Sequence, residues 1–219
     1  MTTGDWLGEP VQYAHVSPAG MVRALFGDTF TADCRCVVWA KGRGATWCAT
    51  PEAVEDVAAR LDATSDVYFG ACLQDAAAEH AGKRGRAETV TVVPGAWADV
   101  DIASPSKKKA HAPSVPDLVA HLERRVEQRP SIALATGGGL HLWWLFDEPL
   151  VLSCDADRRE AAGLVQRWQS HLRTALAERG WQLDSTHDLA RVLRLPGTHN
   201  HKAEHNLAHP VQVLTWEVS

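Results

Sequence analysis

A run of three glycines between two apolar segments constrains the fold of this chain more than any other feature. Gly137-Gly138-Gly139 separates residues 131–135 from residues 140–146, and both segments have the length and apolar character of strands. Three residues leave room only for a tight turn, which joins antiparallel strands, whereas parallel strands need a long crossover. The sequence therefore predicts two strands flanking a tight turn at this point.

The other predicted elements extend this pair into a larger sheet. Residues 89–93 and 96–102 are predicted strands divided by Pro94-Gly95, and we expect them to form a hairpin. Helices are predicted from Pro51 onward and over residues 116–128 and 155–179, and further strands over residues 67–73, 181–183, 192–193 and 211–216. Because helices alternate with strands that tight turns connect, the pattern favours an α/β or α+β fold on a mixed, largely antiparallel sheet.

Length and composition indicate an ordinary globular protein. At 219 residues, with 45% apolar and 22% charged, the chain is expected to form one domain with a sizeable core. It has no run of about 18 apolar residues, and its N-terminus lacks the pattern of a secretory signal. The odd number of five cysteines predicts reduced thiols in a cytoplasmic protein. A zinc site is the weaker alternative, since no usual spacing fits Cys34, Cys36, Cys48 and Cys72.

The net charge of −5 counts against a protein that simply coats DNA, because phosphate binding depends on Lys and Arg. Any contact with nucleic acid must therefore be local. The basic patches that could make it are Lys83-Arg84-Gly85-Arg86, Lys107-Lys108-Lys109, and Arg191 with Arg194 and Lys202. For the lysine run, a solvated loop is favoured over a mobile loop that touches DNA.

Two carboxylates lie in one apolar segment, at Asp99 and Asp101. Side chains alternate along a strand, so both carboxylates project from one face, about 7 Å apart at the backbone. Two such acids repel each other, and a shared cation relieves the repulsion. Mg²⁺ and Mn²⁺ prefer oxygen ligands of this kind. The alternative is a strand that exposes two acids to solvent.

The glycine turn is itself a candidate anion site. In Thr136-Gly137-Gly138-Gly139, backbone N–H groups can face an anion without a Cβ in the way. His141 follows two residues into the next strand and could donate to a triphosphate. A flexible turn beside a buried core histidine is the alternative for these residues.

A third acid precedes a basic tract near the end of the chain. Asp184 is followed by the segment Arg191-Val192-Leu193-Arg194-Leu195-Pro196-Gly197-Thr198-His199-Asn200-His201-Lys202. Arginine suits bidentate contact with phosphate, so the tract could hold nucleotide phosphates while the acid binds metal. Asp188 competes with Asp184 for the metal role, and a solvated basic turn is the alternative. For His199, His201, His205 and His209, exposed loop positions are favoured over a metal-binding helix face.

In this order, the three motifs resemble those of the archaeo-eukaryotic primase superfamily, and most closely the primase–polymerase domains of phage and plasmid replication proteins. That family has a strand with paired acids, then a small-residue loop ending in His, then a hydrophobic residue followed by Asp. Its replicative members often continue into a stretch like Arg-Leu-Pro-Gly-Thr. One departure is that many relatives carry Ser and a basic residue in the second motif, where this chain has Thr136 and glycines. Lys83, Arg84 or Arg86 could supply the positive charge that the second motif lacks in this chain.

The resemblance implies a role for each motif. Asp99, Asp101 and Asp184 would be catalytic and would hold two divalent ions, Mg²⁺ or Mn²⁺. The residues implied to bind the incoming nucleotide are Thr136, Gly138, His141, Arg191, Arg194, Asn200 and Lys202. The implied fold is a small N-terminal α/β lobe, about residues 1–88, beside an RRM-like catalytic lobe, about residues 89–219.

The activity implied is a metal-dependent DNA primase or polymerase. It would join nucleoside triphosphates on a single-stranded DNA template during replication of a phage, plasmid or other mobile element, with a replicative helicase as a possible partner. Two alternatives stay open: a polymerase of a repair pathway that only extends primers, and a catalytically silent replication initiator that binds DNA. The sequence leaves the choice between ribo- and deoxynucleotides open as well.

Overall fold

The computed structural model describes residues 16–105, 107–202 and 208–216. These residues form four helices and eleven strands. In chain order they are α1 Pro18–Phe26, β1 Cys34–Ala40, β2 Gly44–Cys48, α2 Pro51–Asp62, β3 Val67–Gly70, β4 Leu73–Asp75, β5 Val90–Asp101, α3 Val115–Leu122, β6 Ile132–Ala135, β7 Gly139–Val151, α4 Asp155–Ala177, β8 Val192–Arg194, β9 His199–Asn200, β10 His209–Pro210 and β11 Gln212–Trp216. Of the helices in the described part of the chain, none combines the length and apolar character needed to cross a membrane.

Nine of the strands form one sheet, in the order β11-β6-β7-β5-β4-β1-β3-β8, with β2 paired to β1. Strands β9 and β10 form a separate small hairpin. Each strand pair in the described ranges is antiparallel. The predicted α+β class with a largely antiparallel sheet is thus confirmed, and β6 and β7 flank the glycine turn as the sequence predicts.

The predicted hairpin around Pro94-Gly95 is wrong. Strand β5 runs through both residues and pairs with β7, with a shift of register between Val93 and Gly95. Proline cannot donate to a ladder, and a bulge is one of the few places where a strand tolerates it. A Cβ on Gly95 would lie 2.2 Å from the carbonyl oxygen of Trp144. The glycine therefore lets two backbones approach closely rather than making a turn.

Two other predicted strands need correction. Residues 67–73 are divided into β3 and β4, because the chain leaves the ladder at Ala71, whose N–H donates to the carbonyl of Arg191 at 2.8 Å. Residues 181–183 are not a strand: Trp181 packs edge-on against His121, and the N–H of Gln182 bonds to Ala110 in a loop.

Helix ends follow local capping chemistry. Thr50 accepts a hydrogen bond from the N–H of Ala53 at 3.1 Å, and Pro51 stands at the first helical position, so α2 begins where the sequence predicts. Helix α3 is shorter than predicted, since the chain continues from Leu122 in turns, although Val126 remains buried. Helix α4 ends three residues before Gly180, which has a φ of 73°.

The core is divided between the two faces of the sheet. Helices α1 and α2 cover one face, together with Trp97 and Trp143. Helix α3 and the second half of α4 cover the other face, against Ala98 and Val100. Because side chains alternate, Asp99 and Asp101 share the face of Trp97 but lie further along β5, where the core ends.

Replacing Gly95 by Ala tests the close approach of β5 and β7. We expect the change to lower the free energy of unfolding by about 1–3 kcal/mol, because the new methyl group would overlap the Trp144 carbonyl. Gly20→Ala is the control. Its Cβ would have no neighbour closer than 3.7 Å, so this change should leave the stability equal or raise it by up to about 1 kcal/mol. Urea unfolding of both variants measures the difference, and equal stabilities would contradict the packing argument.

Candidate active site

The pairing of β5 with β7 places the first two motifs side by side. Asp99 lies opposite His141, and Asp101 lies opposite Gly139. The Asp99 side chain is 40% exposed and that of Asp101 35% exposed, so both carboxylates can be reached from solvent. The same pair of strands thus brings two acids, a histidine and the glycine turn together.

His141 is buried and held in one orientation. Its Nδ1 accepts a hydrogen bond from the backbone N–H of Arg194 at 3.3 Å, and its Nε2 lies 3.4 Å from Oδ1 of Asp99. Because Nδ1 is the acceptor, the proton of the neutral ring is on Nε2 and points to the carboxylate. Partial burial acts to raise the pKa of Asp99, but His141, with help from Lys202 and Arg191, holds that pKa below its usual value.

The basic tract is hydrogen-bonded to the glycine turn. Asn200, which is buried, donates from Nδ2 to the carbonyl of Thr136 at 2.7 Å and accepts from Arg194 at 2.8 Å. A continuous chain of contacts therefore links Asp99, His141, Arg194, Asn200 and Thr136. These residues come from the three sequence motifs, and the fold brings them together.

Arg194 acts as a buried clamp in this network. Its side chain is 4% exposed, and its guanidinium donates to Asp66 at 3.0 Å, to the hydroxyl of Tyr68 at 3.1 Å and to Asn200. Burial acts to raise the pKa of Asp66, but the hydrogen bond from the His201 amide and the charge of Arg194 lower it overall. These partners occupy the guanidinium, and its contact with a phosphate stays a prediction.

Two of the three glycines in the turn have structural reasons to be glycine. Gly137 has a φ of 81°, and a Cβ on Gly139 would lie 2.1 Å from the carbonyl oxygen of Val100. A Cβ on Gly138 would have no neighbour closer than Nζ of Lys107 at 3.9 Å. The Thr136 hydroxyl is buried and donates to the Gly139 carbonyl at 3.2 Å. Closing the hairpin therefore explains Gly137 and Gly139, whereas Gly138 remains available for another role.

Two lysines of the Lys107-Lys108-Lys109 run bind the acids, which sequence analysis did not predict. Nζ of Lys107 lies 2.7 Å from Asp101 Oδ1, 2.9 Å from the Ile102 carbonyl and 2.8 Å from the Gly138 carbonyl. Nζ of Lys109 binds Asp184 Oδ1. One short loop thus ties Asp101 to Asp184 and compensates two negative charges at the site.

Asp188 has a different environment from Asp184. It pairs with Arg191 at 2.7 Å and lines a cleft beside α4 with Glu88 and Arg158. Asp184 is instead joined to Asp101 through the lysine loop. The role of either acid as the third metal ligand stays a prediction.

The segment that carries Asp184 is anchored by a buried amide. Gln169, on α4, donates to the carbonyl of Trp97 at 2.9 Å and to Oγ1 of Thr186 at 3.0 Å, and its Oε1 accepts from the Thr186 N–H. Trp97 Nε1 in turn donates to the Thr186 carbonyl at 2.7 Å. A polar residue on the inward stripe of a helix is the one signal in the sequence that could have marked Gln169.

Lys202 and Arg191 lie close enough to Asp99 to lower its pKa. His199 bonds to Asp62 at 2.7 Å, and the amide of His201 donates to Asp66 at 2.8 Å. His209 is in strand β10, and His205 lies outside the described residues. The predicted loop position is thus right for His201 but wrong for His199 and His209, which lie in strands β9 and β10, and it is untested for His205.

Within residues 16–105, 107–202 and 208–216, no three His, Cys, Asp or Glu side chains lie together as a metal site. The cysteines do not favour zinc. Burial raises the pKa of the Cys36 thiol well above its usual value and that of Cys48 to about 11. Burial also raises the pKa of the Cys72 thiol well above its usual value.

No family model matches this sequence, and no curated protein matches it significantly. Solved structures do resemble the fold. The AEP domain of the cyanophage S-2L primase–polymerase superposes with a TM-score of 0.58 at 17% identity, over 93% of this chain and 90% of that one. The primase RepB' gives a TM-score of 0.47 at 15% identity, over 91% of this chain and 56% of that one. The fold assignment rests on the first comparison.

The chain shares its fold with the AEP domain of the cyanophage S-2L primase–polymerase. At 17% identity the similarity defines the fold alone. It agrees with the resemblance of the sequence motifs. In this fold, the three motifs meet where β5 ends and β7 begins, beside the lysine loop.

The contrast between two neighbouring glycines provides a test of the hairpin. We expect Gly139→Ala to lower the free energy of unfolding by about 1–3 kcal/mol, because its Cβ would overlap the Val100 carbonyl. Gly138→Ala should change it by less than about 0.5 kcal/mol, since the nearest atom, Nζ of Lys107, is 3.9 Å away. Thermal and urea unfolding measure both. Equal losses would show that the turn, not the contact with β5, sets the requirement for glycine.

The lowered pKa of Asp66 gives a second prediction. A carboxyl whose pKa is lowered by folding contributes stability above its unfolded pKa, and that contribution is lost as the pH falls through the folded pKa. We therefore expect Asp66→Asn to lower the free energy of unfolding by about 1–3 kcal/mol at neutral pH. The deficit should shrink below about pH 4. Urea unfolding of both proteins across this range measures it. A deficit that stays constant into acid would assign the loss to shape rather than charge.

Proposed function

We propose that this protein is a metal-dependent primase–polymerase that joins nucleoside triphosphates on a single-stranded DNA template. The observation that carries the proposal is the placement of Asp99 and Asp101 on one strand face, at the glycine turn and beside a histidine whose Nε2 proton is directed at Asp99. The primase fold supports it, and so does the basic tract that lies against the same turn.

The donor set around Asp101 fits a divalent cation. One carboxylate and the carbonyls of Ile102 and Gly138 already surround a positive group, the ammonium of Lys107. Oxygen donors of this kind are the ones that Mg²⁺ and Mn²⁺ prefer. Asp99 and Asp101 would hold the metal, and Asp184 would join them after releasing Lys109. When bound, two divalent ions would activate an attacking hydroxyl and offset the charge of the leaving pyrophosphate.

The other residues would position the triphosphate. His141 presents Nε2–H in a fixed orientation, so it can donate to a phosphate oxygen that approaches Asp99. Arg191 and Lys202 add positive charge near the same acid. Arg194 and Asn200 would act indirectly, because they hold the glycine turn and the His141 ring in place. The protein thus contributes position and charge rather than a covalent intermediate.

One observation favours a second candidate, a catalytically silent DNA-binding protein of replication. Lys107 and Lys109 bind two of the three acids, and permanent cations at these positions would make a metal unnecessary for charge balance. In a catalytic protein, the same lysines would have to give way to metal or turn to phosphate. Synthesis and metal binding separate the two candidates.

The deciding experiment is nucleotide incorporation on single-stranded DNA with Mn²⁺ or Mg²⁺, with and without an annealed primer. We expect Asp99→Asn and Asp101→Asn each to lower synthesis by at least about 100-fold, with unfolding curves near that of the unmodified protein. Asp147→Asn, an exposed acid elsewhere on β7, is the control and should keep full activity. Products without a primer indicate a primase, and products only with a primer indicate an extending polymerase. No product under either condition would favour the silent binder.

A paired variant resolves the third acid. We expect Asp184→Asn to abolish synthesis, and Asp188→Asn to retain most of it, because Asp188 faces the cleft beside α4 rather than the lysine loop. Steady-state rates of primer extension measure both. The reverse result would transfer the metal role to Asp188.

Removing Lys107 tests the metal site without any reaction. If Asp101 exchanges the ammonium for a divalent ion, Lys107→Ala should bind Mn²⁺ up to about 10-fold more tightly, which corresponds to about 1.4 kcal/mol. Electron paramagnetic resonance titration of free Mn²⁺ measures it. Lys108→Ala removes the same charge from an exposed neighbour and is the control. Equal affinities in the two variants would contradict competition at Asp101.

A further inference from the structure

The outer face of the sheet formed by β2, β1, β3 and β8 carries aromatic side chains that the proposed chemistry does not use. On β1, Cys36 and Val38 point into the core beneath α2, whereas Val37 and Trp39 point the other way. Trp39, Val37, Ala45, Trp47 and Ala78 make a separate small apolar cluster on this outer face. In the described structure this cluster is covered by no helix of its own, since α1 and α2 both contribute to the opposite face.

The register aligns one row of side chains across all four strands. Ala45 lies opposite Trp39, Trp39 opposite Tyr68, and Tyr68 opposite Arg194. The rings of Trp39 and Tyr68 are partly exposed, and their centroids are 5.4 Å apart. The guanidinium of Arg194 lies 4.8 Å from the Tyr68 ring, and that of Arg84 lies 5.0 Å from the Trp39 ring. We call these four residues, Arg84, Trp39, Tyr68 and Arg194, the stacking row.

One end of the stacking row is strongly basic. Exposed cations come from the turn between β1 and β2 and from the loop before β5: Lys41, Arg43, Lys83, Arg84 and Arg86. Residues 41–47 and 80–86 contain no acid. The loop is fixed to β2 by paired backbone bonds between Gly82 and Ala45, both of 3.2 Å, and by Trp47 Nε1, which donates to the Lys83 carbonyl at 2.8 Å. In a chain with a net charge of −5, this edge is a local positive surface.

The other end of the stacking row reaches the candidate active site. The backbone N–H of Arg194 holds His141, which lies 3.4 Å from Asp99. Tyr68 is also close to Asp99. Burial is the largest cause that raises the pKa of Tyr68, and the charge of Asp99 adds to the increase. Neighbouring strands are about 4.8 Å apart, so the four strands that carry the row span about 14 Å, from the cations beside β2 to the candidate active site beside β8.

We propose that single-stranded DNA binds along this row, with bases stacked on Trp39 and Tyr68 and phosphates against the basic edge. Proteins that hold single strands combine aromatic platforms with a positive groove, and stacking tolerates any base because every base has a π-face. A four-stranded sheet with exposed aromatics can hold two or three bases. The inference rests on the proposed function, since it takes the occupant to be the template whose next base is read beside Asp99. A duplex has no unstacked bases to offer, so the single strand is the partner that fits.

The test is fluorescence anisotropy of a labelled oligothymidylate without added metal, so that binding is measured apart from synthesis. Because stacking is worth about 1–3 kcal/mol per base, Trp39→Ala should weaken binding about 5- to 100-fold. Trp39→Phe, which keeps a ring, should recover most of the affinity. Tyr68→Leu should weaken binding, whereas Tyr68→Phe should not.

Charge variants give a second measurement, the dependence of binding on salt. Arg84→Ala and Lys83→Ala should each reduce the slope of log affinity against log salt by about 0.7, the value for one phosphate contact on a single strand. Arg60→Ala is the matched control. Arg60 is exposed on α2, which packs on the inner face of the sheet, so this variant should keep the affinity and slope of the unmodified protein.

The proposal fails if the Trp39 and Arg84 variants bind with unchanged affinity and salt slope, or if the unmodified protein does not bind the oligonucleotide at low salt. It also fails if duplex DNA of the same length binds as tightly and depends on Trp39 equally. The proposed function fails separately. Asp99→Asn should bind the single strand as tightly as the unmodified protein while synthesising nothing. If the unmodified protein binds through Trp39 but makes no product, the stacking row stands and catalysis does not.

Discussion

The antiparallel pairing of β5 with β7 is the constraint on which the rest of the molecule depends. It forms the centre of the sheet, buries Trp97 against Trp143, and places Asp99 directly opposite His141. The closest points of this pairing are at Gly95 and Gly139, where any side chain would overlap the partner backbone. A slip of one residue would move the acids to the face of α3, because strand side chains alternate. The backbone register that stabilises the core therefore also determines the site.

Arg194 extends this order to the second half of the chain. Its side chain is buried among Asp66, Tyr68 and Asn200, while its backbone N–H fixes the ring of His141. A buried guanidinium needs a full set of acceptors, since an unpaired buried charge is costly. The acceptors of this guanidinium hold strand β8 and the β9–β10 hairpin together, and Asn200 joins both to the glycine turn. The tract that resembles a phosphate-binding motif in sequence is therefore, in this structure, also what connects β3 to the candidate active site.

The sequence predicted the parts of this molecule that depend on local pattern. Alternation put Asp99 and Asp101 on one face, the Thr50-Pro51 cap marked the start of α2, and the triple glycine gave the β6–β7 turn. It did not predict features that depend on distant partners. Pro94-Gly95 is a signal for a turn in isolation, but pairing with β7 turns it into a bulge within a strand. For Lys107 and Lys109 the local pattern favoured a solvated loop. Their partners depend on the fold, because Asp184 is far away in the sequence and Asp101 lies across the loop from Lys107.

Lys107, Lys109 and Arg194 share one physical role. Each offsets the charge of a carboxylate near the end of β5 at which Asp101 lies. Arg194 is buried and permanent, whereas Lys109 is half exposed and held by a single carboxylate. Flexible ammonium groups exchange partners at low cost, while a guanidinium with three acceptors does not. An arriving cation would thus displace the lysines first, and an arriving phosphate would draw them away from the carboxylates, while the Arg194 clamp stays intact. Arg194 orients His141 and also contacts the Tyr68 ring. Its clamp would therefore keep His141 in place while single-stranded DNA moves along the stacking row.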